Sequence, residues 1–150
     1  MESDNFDELS KVMVKKGMTR EEAQKQIERI NAAFPDAMVN NYEELIEKLS
    51  LPDKKDCQVL AAAIKCNANL IVTDNLKHFK NEYLSRFGLV AKSADDFITD
   101  TIDLNPSLAK EAFITMVAQR TNPSFDEYQV LDILRKRGLV NAADYLHSLI

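Results

Sequence analysis

Asp56 and Asp74 are the side chains of this sequence with the clearest chemical potential, because the segment between them should fold back on itself. An acid-capped helix from about Asp56 to Cys66 advances roughly 15 Å at about 1.5 Å per residue. After a polar turn, a strand from Asn69 to Thr73 returns roughly 16 Å at about 3.3 Å per residue. Asp74 thus comes back to the level of Asp56. Two carboxylates at the carboxyl end of a strand suit a divalent cation such as Mg²⁺ or Mn²⁺, which takes a few carboxylate oxygens and completes its shell with water. Such a cation activates water and offsets charge on a phosphodiester. Lys54, Lys55 and Lys77 flank the acids and are candidates for steering phosphate. Competing roles stay open. An acid in a first helical turn also stabilises the helix dipole, although Asp53 can take that duty and leave Asp56 free. Asp74 also reads as an end-of-strand turn residue.

Other chemistry is sparse. His78 is able to bind metal or phosphate, but a lone histidine more often packs or sits in solvent. Nothing groups His147 with acids. No Ser-His-Asp or Cys-His arrangement stands out, and Gly17, Gly88 and Gly138 are isolated rather than forming a phosphate loop. Cys57 and Cys66 fall on opposite faces of the proposed helix, so both read as reduced thiols, with Cys66 as a small core residue.

The elements that must position these residues alternate. Asp4 to Lys16 reads as a helix with Phe6, Leu9, Val12 and Met13 on one face, stopped by Gly17. Thr19 and Glu22 form a capping box for a second helix with an apolar stripe of Ala23, Ile27, Ile30 and Phe34, ended by Pro35. Ala37 to Val39 is a short strand candidate, and Tyr42 to Leu49 a short helix. The helix after Asp53 or Asp56 turns Val59, Leu60, Ala63 and Ile64 inward. Leu70, Ile71 and Val72 read as a strand buried on both faces. Asn75 to Phe87 is partly helical, and Leu89 to Ala91 is a further strand. Alternating helices and apolar strands indicate an α/β fold with a parallel sheet. From Ala94 onward only helices are evident: one capped by Asn105 before Pro106, one opened by a Ser124–Glu127 box and stopped by Gly138, and an amphipathic one from Leu139 to Ile150. This helical region caps the sheet, or offers Leu146, Leu149 and Ile150 at the terminus to a partner helix.

The 150 residues suit one domain with a small appendage. A net charge of -5 opposes nucleic-acid binding over the whole surface; it does not oppose a nuclease, since a metal offsets acids locally. Basic residues cluster at Lys15 and Lys16, Lys54 and Lys55, Lys77 with Lys80, and Arg135 to Arg137, where a solvated face is the ordinary explanation. No apolar run of membrane-spanning length occurs, and MESDNFDEL lacks the order of a signal peptide. A cytoplasmic location is the default expectation.

The block Asp56-x-x-Val59-Leu60-Ala61-Ala62-Ala63, then Leu70-Ile71-Val72-Thr73, then Asn75-Leu76-Lys77-x-Phe79, resembles the C-terminal signature of PIN domains, most closely a branch of VapC-type toxins. Phe6-Asp7-Glu8-Leu9 resembles the helix that supplies the family's glutamate. Phe34-Pro35-Asp36-Ala37 before Tyr42-Glu43, Leu89-Val90-Ala91 before Asp95-Asp96-Phe97, and the helical tail also fit. The resemblance implies a three-layer α/β/α fold, with a PIN-like domain over residues 1–100 and a C-terminal helical extension over 101–150. It implies metal-dependent cleavage of RNA, with Mg²⁺ or Mn²⁺ held by Glu8, Asp56 and Asp74 as the catalytic acids, Asn75 as a polar helper, and an antitoxin protein as partner. Two departures stand out. Members open with a central hydrophobic strand ending in aspartate, whereas this chain starts after that point. His78 also stands where the branch often has an acid before the phenylalanine. A sheet incomplete at that strand is expected to pair with a second copy, giving a homodimer, and loss of the first acid is expected to impair activity.

Overall fold

The computed structural model describes residues 3–150; the side chains of residues 3–6 and of Glu8 lie outside the described residues, and with them the predicted packing of Phe6. The chain divides into two compact units. The first runs to Ile71 and resumes over His78–Val90; the second comprises Val72–Lys77 and Ala91–Ile150.

The first unit opens with a helical hairpin, α1 (Ser3–Lys15) and α2 (Arg20–Ala33). Gly17 adopts φ 102°, a left-handed geometry open to glycine at little cost, and the Met18 amide then reaches back to the Met13 carbonyl. The Thr19–Glu22 box forms in both directions, with the Glu22 amide donating to Thr19 Oγ1 at 3.2 Å and the Thr19 amide to Glu22 Oε2 at 2.8 Å. Ala23 and Ile27 are buried as the stripe requires, whereas Phe34 is 62% exposed. It lies at the C-cap of α2, its amide closing the helix on Ile30, so it no longer follows the helical face. Val12 is likewise exposed. The predicted strand at Ala37 to Val39 is absent. A 3-10 turn occupies Pro35–Ala37, because Pro35 fixes the backbone at its start.

A short helix α3 (Glu43–Ile46) packs on α4 (Lys54–Lys65), where Tyr42 is buried with Ala61 and Ala62. Asp53 is the N-cap of α4, accepting from the Lys55 amide at 2.9 Å. Leu60, Ala61, Ala62 and Ala63 are all buried, so α4 is apolar around more of its circumference than one stripe. Cys66, expected in the core, lies at the C-cap of α4 and is exposed, whereas Cys57 is buried.

Strand β1 (Leu70–Val72) pairs in parallel with β2 (Val90–Lys92) in a two-stranded sheet. Only Ile71 of β1 is buried, and Val72 is 46% exposed, so the strand is not covered on both faces as its apolar run suggested. Between the strands, α5 (Asn81–Leu84) and a 3-10 turn (Ser85–Phe87) bury Leu84. The flanking Phe79 and Leu89 are buried too.

The second unit is a helical bundle of α6 (Ala94–Leu104), α7 (Pro106–Ala118), α8 (Glu127–Lys136) and α9 (Val140–Leu149). Helix α9 packs against the other three. Ile102, Phe113, Val130, Leu131, Ala143 and Leu146 form its core, with Leu149 and Ile150 packed against it. The terminal apolar side chains are therefore internal to the unit rather than offered to a partner helix. Asn105 caps α7 through the Leu108 amide at 3.1 Å. The box that opens α8 is Asp126 with Gln129, not Ser124 with Glu127; Ser124 instead lies in an isolated bridge to Thr121. Helix α9 has no cap of its own. Asp95 of α6 supplies it, accepting from the Asn141 and Ala142 amides at 2.9 Å each. No helix among the described residues is long and apolar enough to cross a membrane.

Candidate active site

With Asp53 satisfying the end of α4, Asp56 in its first turn is released from capping. Its side chain is only 16% exposed, and its Oδ2 lies 2.6 Å from Nδ1 of His78. His78 belongs to the turn after β1, and its neighbour Phe79 is buried, which anchors that turn. An ionised Asp56 requires the proton on Nδ1, so the imidazole points Nε2 and its lone pair away from the carboxylate. At 37% exposure the ring meets solvent. The pair is thus a carboxylate that orients a histidine, an arrangement able to hold a proton or a metal at Nε2. The sequence reading treats His78 as a lone histidine, yet the signal is present: a chain that turns back after β1 brings His78 within reach of Asp56.

Asp74 follows β1 in the second unit and is exposed. Its Oδ1 is 3.5 Å from the Ala94 amide at the start of α6, a long contact. The Asn75 amide donates to Thr73 Oγ1 at 3.1 Å, so this is a polar turn at the strand end. Lys54, Lys55 and Lys77 are exposed. Lys54 lines a groove with Glu43 and Glu47, acids that offset its charge. Glu8 belongs to α1, and its side chain lies outside the described residues.

An oxygen-donor set of Glu8, Asp56 and Asp74 matches the chemistry of Mg²⁺ or Mn²⁺. Asp56 fits such an ion as far as its own surroundings go. It is a half-buried carboxylate whose Oδ1 has no hydrogen-bond partner among the described residues. No three acid, histidine or cysteine side chains group as a metal site among the described residues. What is brought together is Asp56 with His78.

A family model described as the PIN domain matches residues 1–77, and a second, described as the VapC50 C-terminal domain, matches residues 94–148. The chain belongs to the PIN domain family, as a VapC-type member. It is 37% identical over 98 residues to the Mycobacterium tuberculosis protein named "Putative ribonuclease VapC50", an alignment covering 65% of this chain and 57% of that relative. The chain thus spans a little over half the length of the curated relative it matches. No solved structure matches it.

Proposed function

We propose that this protein is a metal-dependent ribonuclease of the toxin-antitoxin type, acting in the cytoplasm on RNA and restrained by an antitoxin protein. The single observation that carries the reading is Asp56, a half-buried carboxylate relieved of capping and held by His78, inside the segment matched as a PIN domain. In this reading residues 1–100 form a three-layer α/β/α PIN-like domain and residues 101–150 its helical extension. Glu8, Asp56 and Asp74 would hold Mg²⁺ or Mn²⁺. Such an ion, when bound, supplies an activated water and charge stabilisation at the phosphodiester. The chain's own contribution is orientation. Asp56 fixes the His78 ring so that Nε2 is presented outward, Asn75 offers an amide beside Asp74, and Lys54, Lys55 and Lys77 attract phosphate. The relative's printed name supports the choice of RNA.

Two measurements test this reading. Calorimetric titration with Mn²⁺ should give binding heat in the wild type and markedly less in Asp56→Ala. Manganese-dependent cleavage of RNA should disappear in the same variant. Cleavage that survives Asp56→Ala would reject the assignment.

A second reading keeps the fold without catalysis, as a protein that holds an antitoxin or a second copy of itself. It is favoured by Leu104 and Leu108, which are 85% and 61% exposed. Absence of Mn²⁺ binding heat, together with a dimer in light scattering, would support it.

A further inference from the structure

Asp56 is the third residue of α4. The third residues of α2, α6 and α8 turn back onto their own caps. Glu22 accepts from the Thr19 amide at 2.8 Å, Asp96 from the Ser93 hydroxyl at 2.8 Å, and Gln129 from the Asp126 amide at 3.0 Å. Asp56 makes no such bond among the described residues. Its Oδ2 instead lies 2.6 Å from Nδ1 of His78, 22 positions further along the chain. Both ends of that contact are anchored, because the neighbouring Cys57 and Phe79 are 5% and 3% exposed. The contact therefore holds the carboxylate in one orientation. It also divides the two oxygens: Oδ2 is committed to the imidazole N–H, and Oδ1 has no hydrogen-bond partner among the described residues. A half-buried carboxylate with one oxygen filled and one left over can offer a cation a single atom.

We propose that His78 is a positioning residue that makes Asp56 a one-oxygen ligand, and that this hydrogen bond favours Mg²⁺ and Mn²⁺ over Ca²⁺. The proposal rests on the metal-binding reading above and adds to it the residue that sets which cation is taken. Mg²⁺ demands a compact octahedron and is held by few carboxylates, whereas Ca²⁺ takes about six to eight oxygens and readily grips both atoms of one carboxylate. Mn²⁺ shares the octahedral oxygen preference. With Oδ2 engaged, binding through both atoms requires the hydrogen bond to Nδ1 to break. The bond also fixes where Oδ1 points, and partners that orient metal ligands in this way are worth about 10–100-fold in affinity. In this role the ring contributes a donor and no ligand atom.

The test measures binding rather than turnover. Mn²⁺, Mg²⁺ and Ca²⁺ are titrated calorimetrically into the full chain and into its His78→Ala and His78→Asn variants. Alanine removes the donor, whereas asparagine places an amide N–H close to where Nδ1 stands. Both replacements are uncharged, so the difference between them isolates the donor. His78→Ala should weaken Mn²⁺ and Mg²⁺ binding at least about tenfold and Ca²⁺ binding by less than about threefold, which narrows the preference. His78→Asn should recover most of that preference. Equal losses for all the ions, no loss for any, or an asparagine variant that matches alanine would overturn the proposal. So would electron spin echo spectra of Mn²⁺ on the wild type showing a directly bound imidazole nitrogen, because His78 would then be a ligand itself. Should His78→Ala fail to fold, heteronuclear magnetic resonance of the wild type decides. His78 must carry its proton on Nδ1 with and without Mg²⁺, and a neutral ring protonated on Nε2 instead would overturn the proposal. The proposal and the reading beneath it fail separately. Mn²⁺ heat that is lost in Asp56→Ala but indifferent to His78 rejects this proposal alone, and no heat with any ion in the wild type rejects both. The altered preference, with no cleavage of RNA on adding Mn²⁺, keeps the proposal and rejects the nuclease.

Discussion

Replacing Asp95 should cost this protein more than removing another solvent-accessible acid. Helix α9 begins at Val140 behind Leu139, which has no side chain able to cap it, so its first amides depend on the Asp95 carboxylate at 2.9 Å. Losing an N-cap costs about 1 kcal/mol, and losing the negative charge at a helix N-terminus costs about 0.3–1 kcal/mol. The Ala142 amide is partly buried, and an unsatisfied donor there costs about 1–3 kcal/mol. These contributions describe overlapping contacts, so Asp95→Ala should destabilise by about 2 kcal/mol rather than by their sum. In a protein of 150 residues each kcal/mol moves the melting midpoint by roughly 2–4 °C. The expected fall is therefore about 4–8 °C. Asp95→Asn keeps an acceptor and loses the charge, so about 1 kcal/mol is expected. Thermal unfolding followed by circular dichroism decides, with Glu111→Ala on α7 as an exposed control that removes the same charge. An Asp95→Ala midpoint within about 1 °C of that control would show that water caps α9 as well as the acid does, and the reasoning would fail.

Three further outcomes follow from the same structure. The backbone amide of Thr19, and then its hydroxyl, hold the Glu22 carboxyl below the usual carboxylate range. A depressed folded value means stability that is present above the unfolded pKa and lost as pH falls through the folded one. The urea midpoint of Glu22→Ala should thus lie below wild type near neutral pH, with the gap narrowing as the pH falls through the folded carboxyl's range, and a gap unchanged in acid would contradict the cap. Leu131, wholly buried in the second unit, should lose about 2–5 kcal/mol on truncation to alanine in denaturant unfolding, against about 0.5 kcal/mol or less for the exposed Leu108. Maleimide should label Cys66 in the native protein, and Cys57 only after denaturation; native labelling of Cys57 would show that α4 opens.

The parts of this fold legible in the sequence are those written locally. The Thr19–Glu22 box and the Asn105–Pro106 start each involve residues within a turn of each other, so spacing alone reveals them, whereas spacing leaves Asp53 and Asp56 both open as the start of α4 and the structure selects Asp53. Ambiguity arose where two local solutions overlapped. Ser124 with Glu127 and Asp126 with Gln129 both spell a capping box, and the second is the one that forms, at the start of the helix that buries Val130 and Leu131. Burial differs from the sequence reading at Phe34, Val72 and Cys66, each at an element's end, where periodicity no longer reports which side is covered, and at Val12 inside α1. The pairing of Asp56 with His78 spans 22 residues, and that of Asp95 with Asn141 spans 46. Such contacts exist only once separate elements are packed, so the candidate site was visible as an acid at a known helical position but not as a pair.

The route of the backbone sets a limit on dissection. The polypeptide leaves the first unit after Ile71, re-enters it at His78 and leaves again after Val90. No scission at one peptide bond therefore liberates either unit whole. A fragment beginning at Ala91 would lack Val72–Lys77, and with it the Thr73 amide that donates to the Lys92 carbonyl at 2.9 Å. Proteolytic nicking in the turn that holds His78 should consequently yield two pieces that stay associated until denaturant is added, rather than a free helical bundle.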